Sequence, residues 1–264
     1  MATIVKSTLK ASGGDYSSIK DWIDDLLANT PDFVANDIIP TLECYNDWPA
    51  GLDESFVDFK SGFNTDADHY FHIVTPKSER HTGVAGTGFW FNTTTTSFVF
   101  YSRNQHVVFD GLEVSAPNSG QVMFGATSNT IVKNSILHDI VSQGFNTTSG
   151  AKFENCIVYL TAPSSSSNVG KAFQNTNLEY ITAYISPDSG AFNGDIIIQN
   201  CICNNVYMFH NHVKTTYDSF LGSSGDYNVG LAINGDLPGS NSFYIADDSD
   251  LVDPDNFDFR IKST

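Results

Sequence analysis

The chain has 264 residues, 41% of them hydrophobic, with 30 acidic side chains against 13 basic ones and a net charge of −17. Phosphate neutralisation needs clustered Lys and Arg, so this balance, with arginine only at Arg80, Arg103 and Arg260, argues against a nucleic-acid-binding face. There is no run of about 18 apolar residues to span a membrane, and MATIVKSTLK lacks the charged and apolar regions of a secretory signal.

Residues 3–9 (TIVKSTL) alternate as a strand does. The next stretch, GGDYSSIKDWIDDLLAN, predicts an amphipathic helix. Ile19, Trp22, Ile23, Leu26 and Leu27 share one face, and Asp21, Asp24 and Asp25 lie on the other as a solvated surface. Asp15 or Ser17 is placed to cap its amino end, and Asn29-Thr30-Pro31 ends it. Further strands are expected at 41–46, 55–60, 69–75, 88–92 and 97–101. Phe89-Trp90-Phe91 puts aromatics on both faces of one of them. The outward ring is expected either to pack under residues 76–87 or to serve as a platform for a sugar or a protein. His69 and His72 lack a third partner in sequence for a metal.

From His106 to Asn204 five segments can be written under one another: HVVFDGLEV, TIVKNSILH, AKFENCIVY, LEYITAYIS and IIIQNCICN. Their apolar columns are Val108/Val132/Phe153/Tyr180/Ile198 and Leu112/Ile136/Ile157/Tyr184/Ile202. Between them runs a polar column, Asp110/Asn134/Asn155/Thr182/Asn200, that steps by 24, 21, 27 and 18 residues. A β-rich repeat of about 20–30 residues is what a stacked solenoid requires. Its rungs bond to one another at about 4.8 Å, so like residues stack on like. Asn suits a corner because it tolerates left-handed backbone angles and can bond the amide of the next rung.

Val-Lys-Asn-Ser-Ile (132–136), Phe-Glu-Asn-Cys-Ile (153–157) and Ile-Gln-Asn-Cys-Ile (198–202) make the chain resemble the right-handed parallel β-helix superfamily, the fold of pectate lyases and phage tailspikes. The string Gly14-Asp15-Tyr16-Ser17-Ser18-Ile19-Lys20-Asp21-Trp22 is similar to the N-terminal cap of phage and environmental members, and residues 251–264 resemble their closing rung. The resemblance implies an all-β fold: a single-stranded right-handed parallel β-helix with an amphipathic capping helix (Ile19, Trp22, Ile23, Leu26) over its first edge. One domain, 1–264, is expected, with strand and cap at 1–37, rungs at 38–204 and irregular rungs at 205–264.

The polar loops between the regular rungs are short and would not build a deep cleft. With the resemblance, this points to a non-enzymatic structural protein of a tailed-bacteriophage virion, a tailspike-like capsid decoration (cement) protein. The expected partners are further copies in a homotrimer and the major capsid protein or another virion protein. The expected location is the capsid surface, after synthesis in the host cytoplasm without a signal peptide. No catalytic residue, cofactor or metal ligand is assigned. The acidic run at Asp247, Asp248 and Asp250 is the stretch considered for calcium, but it lacks an ordered ligand loop and a solvated turn accounts for it. Cys44, Cys156, Cys201 and Cys203 read as reduced core residues. The alternative is a polysaccharide-degrading or glycan-binding tailspike or lyase. Glycoside hydrolysis would need two carboxylates facing each other at about 5–5.5 or 6.5–9.5 Å.

Overall fold

The computed structural model describes residues 1–54, 56–93, 99–103, 105–116, 129–139 and 151–157 with their side chains, and the remaining strands named below by backbone alone. The strands are β1 (Thr3–Leu9), β2 (Ile38–Cys44), β3 (Val57–Asp58), β4 (Phe71–Val74), β5 (Trp90–Asn92), β6 (Phe100–Tyr101), β7 (Val107–Asp110) and β8 (Glu113–Ser115). They continue with β9 (Phe124–Ala126), β10 (Thr130–Lys133), β11 (Ile136–Ile140), β12 (Phe145–Glu154), β13 (Ile157–Ala162), β14 (Phe173–Glu179) and β15 (Thr182–Pro187). After these come β16 (Cys203–Asn204), β17 (Tyr207–Phe209), β18 (His212–Thr215), β19 (Ser224–Asp226), β20 (Val229–Leu231), β21 (Phe243–Ile245), β22 (Leu251–Asp253) and β23 (Asp258–Ile261). The helices are α1 (Ile19–Asn29) and α2 (Phe33–Asn36). Neither is long and apolar enough to cross a membrane.

The described part is a sheet-rich, all-β fold of parallel strands with few helices. One row runs β1-β2-β4-β7-β10-β12-β14-β17-β19 and a second runs β5-β8-β11-β13-β15-β18-β20-β21. A third, short row, β3-β6-β9, meets the first half of β12. From β6 to β11 the chain visits the third, first and second rows in turn, and then does so again. Parallel neighbours cannot be joined by a tight hairpin: β1 returns to β2 through the two helices, and the later returns in the first row pass through the other rows. At the far end β22 and β23 pair antiparallel, where the sequence pointed to a closing rung.

Two residues make three of the corners between the first and second rows: Gly111-Leu112, Asn134-Ser135 and Asn155-Cys156. The first of each pair is left-handed, with φ of 78°, 53° and 49° for Gly111, Asn134 and Asn155. Gly and Asn are the residues that accept this conformation at least cost.

That requirement corrects the columns drawn from residue type. Asp110 lies opposite Lys133, and Lys133 opposite Glu154, so Gly111 rather than Asp110 aligns with Asn134 and Asn155. The inward column of the first row is therefore Leu42-Ile73-Phe109-Val132-Phe153, continued in register by Leu178 and Met208. Val108 pairs with Ile131 and lies on the outer face. The inward column of the second row is Phe91-Val114-Leu137. Ile136 and Ile157 do face one another, but in line with Glu113 on the outer side, while Leu112 belongs to the corner. Thr182 pairs with Ile157 and Tyr184 with Tyr159, each two places from the assigned column. Tyr180, Ile198, Asn200 and Ile202 lie outside the described residues.

Helix α1 starts at Ser18, whose hydroxyl accepts the Asp21 N–H at 3.2 Å, one residue beyond the expected caps. Its first turn also meets the Glu54 carboxylate, which accepts the Ile19 and Lys20 N–H groups at 2.9 and 2.8 Å and the Ser18 hydroxyl at 2.8 Å. A buried carboxylate at a helix amino end is favoured both by the free N–H groups and by the dipole. Ile19, Trp22 and Ile23 are fully buried and Leu26 is partly so. The helix packs beside β3, the first strand of the third row. Asp15 does something else: its carboxylate accepts the Thr8 N–H at 2.8 Å and hydroxyl at 2.9 Å, on the outer edge of β1.

Candidate functional site

Residues 76–88 leave the end of β4, cross the outer face at the first-to-second-row corners, and return to β5. Arg80 lies over Gly111. Its guanidinium donates to the Thr75 carbonyl at 3.0 Å and pairs with Asp110 at 3.0 Å. A Cβ on Gly111 would sit 2.1 Å from Arg80 Nε, so this corner needs Gly for the close approach as well as for its φ. The Asp110 carboxylate also accepts the Asn134 side-chain N–H at 2.8 Å, and the Asn134 side-chain oxygen Oδ1 accepts the Asn155 side-chain N–H at 2.8 Å. Asp110, Asn134 and Asn155 are thus linked rung to rung although Asp110 is one position early in register. Lys133 approaches Asp110 at 3.6 Å, and Lys152 pairs with Glu154.

Replacing Gly111 by Ala should cost about 1–3 kcal/mol, from a strained left-handed backbone and a displaced guanidinium. Urea unfolding measures it. The penalty should shrink, without vanishing, in an Arg80→Ala background, because only the backbone part survives there.

Beyond Arg80, His81 donates from Nε2 to the Asn134 carbonyl at 2.9 Å, and its Nδ1 accepts the Gly83 N–H at 3.3 Å. That pattern requires a neutral ring, and burial pushes its pKa down. Arg80, His81, Gly83, Asn134, Asn155 and Ile157 line an open groove of about 300 Å³. Next along the second row, the Gly86 N–H bonds both Glu113 carboxylate oxygens at 2.7 and 2.9 Å. Glu113 is wholly buried.

His138 stands between two carboxylates. Its Nε2 is 3.1 Å from Glu113 and its Nδ1 is 2.8 Å from Asp139, which also accepts the Ser115 hydroxyl at 2.9 Å. Both ring nitrogens must donate, so the ring carries a proton on each. Burial alone would lower the pKa, but the hydrogen bonds from Asp139 and Glu113 outweigh it and raise it to about 9. Asp139 is correspondingly held low by its bond to His138.

A folded-state pKa raised from 6.5 to about 9 means that His138 contributes stability that is complete below about pH 6.5 and is lost as pH rises through 9. The size is about 3 kcal/mol. Asp139, with its pKa lowered, contributes in the opposite sense and loses its share as pH falls below about 4. Urea midpoints measured from pH 5 to pH 10 should fall on the alkaline side, and His138→Gln should flatten that limb.

Several other outer-face groups are also engaged, although His72 Nε2 is buried without a hydrogen-bond partner among the described residues. Trp90 faces outward but is half-covered, the turn at Gly51 lying so close that a Cβ there would meet the ring at 2.8 Å. Phe89 and Phe91 are in the core. Arg103 bonds Asp58 at 2.7 and 2.9 Å and lies over Tyr101, which stacks on Phe56. His69 donates to Asp66 and Asp37 at 2.7 and 3.1 Å. His72 sits separately on the outer face of the first row, its pKa lowered by burial. Cys44 and Cys156 are buried free thiols whose pKa values burial raises, that of Cys156 to about 12. Among the described residues no three His, Cys, Asp or Glu side chains gather as a metal-ion ligand set. The stretch at Asp247, Asp248 and Asp250 lies outside them.

Sequence reasoning passed over Glu113 and His138. A Glu and a His one strand apart in an alternating pattern look like ordinary solvent-facing residues. Residues 76–88 cross over Glu113, where the Gly86 N–H meets its carboxylate, and the signal for that was the segment's length and its glycines at 83, 86 and 88. No protein-family model, no curated protein and no solved structure matches the chain.

Proposed function

We propose that the chain is a right-handed parallel β-helix that acts as a non-catalytic structural protein of a tailed-bacteriophage virion, a decoration protein bound to the assembled capsid as a homotrimer. The parallel rows visited in turn, the two-residue corners and the linked Asn side chains support the coil. The observation that carries the structural role is what the outer-face acid–base groups do. Arg80 pairs with Asp110 and the Gly86 N–H with Glu113, which fastens residues 76–88 to the sheet, and Glu113 and Asp139 in turn hold His138 between them. A protein that strengthens a shell does so by binding only the assembled state, and an exterior whose charges are already paired within the chain loses little further freedom when it binds.

Glycan handling is the competing reading, and its foothold is the Phe56–Tyr101–Arg103 stack on the outer side of the third row. Imaging of intact particles with a labelled chain separates the two. Regular density on the head supports decoration. Tail density with release of reducing ends or unsaturated uronates from a polysaccharide panel overturns it.

A further inference from the structure

Strand β1 ends the first row, and its free edge is open along half its length. The odd-numbered residues bond inward: the Thr3 N–H donates to Asp37 and the Leu9 carbonyl accepts from Tyr45. The even-numbered residues turn their N–H and C=O groups outward. Those of Thr8 and Lys10 are closed by Asp15 and Tyr16. Those of Ile4 and Lys6 have no partner among the described residues. At this point Ile4 is 57% and Val5 45% exposed, the two large apolar side chains after Met1 that the described surface leaves most open.

Lysine on an edge strand ordinarily blocks pairing. Here Lys6 is drawn back along its own sheet onto Glu43 at 2.6 Å, away from the open edge. Charge narrows the choice of partner. Copies of a chain with net charge −17 repel one another, but along the open stretch the one charged side chain, Lys6, is neutralised by Glu43, and the Asp15 carboxylate on this edge is bonded to Thr8 at its far end. The approach of two copies is therefore least opposed at this edge.

We infer that β1 pairs antiparallel with β1 of a second copy about a two-fold axis through Val5. The register is self-complementary. Ile4 of each copy exchanges both backbone hydrogen bonds with Lys6 of the other, which uses the outward groups that lack partners. Val5 meets Val5 as the close, non-hydrogen-bonded pair and covers its exposed surface. Each lysine faces an isoleucine and the two lysines do not oppose each other. Asp15 and Tyr16 stop the ladder at Thr8, so it is short, well under a standard interface, and the pairing is weak and reversible. It is independent of the proposed capsid role, because contacts through the outer faces leave this edge free.

The test uses the full chain with any purification tag at its carboxyl end. Sedimentation velocity on a dilution series should show a reversible two-fold association step. Ile4→Pro should abolish that step with an unchanged melting temperature, since it removes only an outward N–H and proline is tolerated on an edge. Val5→Cys should form a covalent dimer on oxidation, because Cα atoms in such a pair lie within disulfide reach. Thr3→Cys, which faces Ser7, should not. No concentration-dependent step, a step that survives Ile4→Pro, or cross-linking of Thr3→Cys as readily as Val5→Cys would each overturn the inference. If Ile4→Pro lowers the melting temperature, the cysteine pair decides alone.

Discussion

Phe71→Ala should lower folding stability by about 3–5 kcal/mol, the range for removing a large aromatic ring from a packed core. Phe71 is fully buried and stands where the two helices meet the sheet. Trp22 of α1 meets it edge-on at 5.8 Å, Phe33 of α2 at 4.8 Å, Phe63 at 4.7 Å and Phe59 at 5.2 Å. Edge-to-face pairs add to burial, so four rings lose contacts at once. The backbone cannot collapse onto the gap, because β4 is held between β2 and β7. Phe71→Leu should cost less than half as much. Urea unfolding followed by tryptophan emission reports it, with Trp22 as a local probe. A loss below about 1 kcal/mol would mean that these rings do not share one core.

Glu113→Ala should cost a similar amount, about 3–5 kcal/mol, for a different reason. The substitution strips His138 of one of its two carboxylates and leaves the Gly86 N–H without its acceptor. A charge left buried without its partner is the expensive part. Glu113→Gln should cost less, since its carbonyl oxygen can still accept from Gly86. Imidazole proton resonances of His138 should titrate well above pH 7 in the parent chain and at lower pH in both variants. If His138 itself titrated near pH 6.5 in the parent protein, the paired geometry would be refuted.

Much of the fold was legible because corners and inward strands impose local chemistry. Asn134 and Asn155 stood out since few residues accept a left-handed corner and also bond their neighbour. The same logic misled where the corner residue was Gly111. The neighbouring Asp110 resembled asparagine more than glycine does, and the column slipped by one. Residue type carries register only where the backbone requirement and the side-chain role fall on the same position. For α1 the apolar spacing found the helix, while its Ser18 cap and the Glu54 carboxylate depend on a segment over thirty residues away. The His138 cluster was illegible for a related reason. Burial of an outer face comes from an excursion that returns over it, and no periodicity within β8 or β11 announces that.

The most direct measurement of the whole account is a crystal structure of the chain, read at the corners between the first and second rows. The account predicts Gly111, Asn134 and Asn155 in one line at about 4.8 Å spacing, with the Asn155 amide donating to Asn134 and the Arg80 guanidinium lying across Gly111. Asn134 and Asn155 at unrelated corners, or residues 76–88 lifted from Glu113, would contradict it.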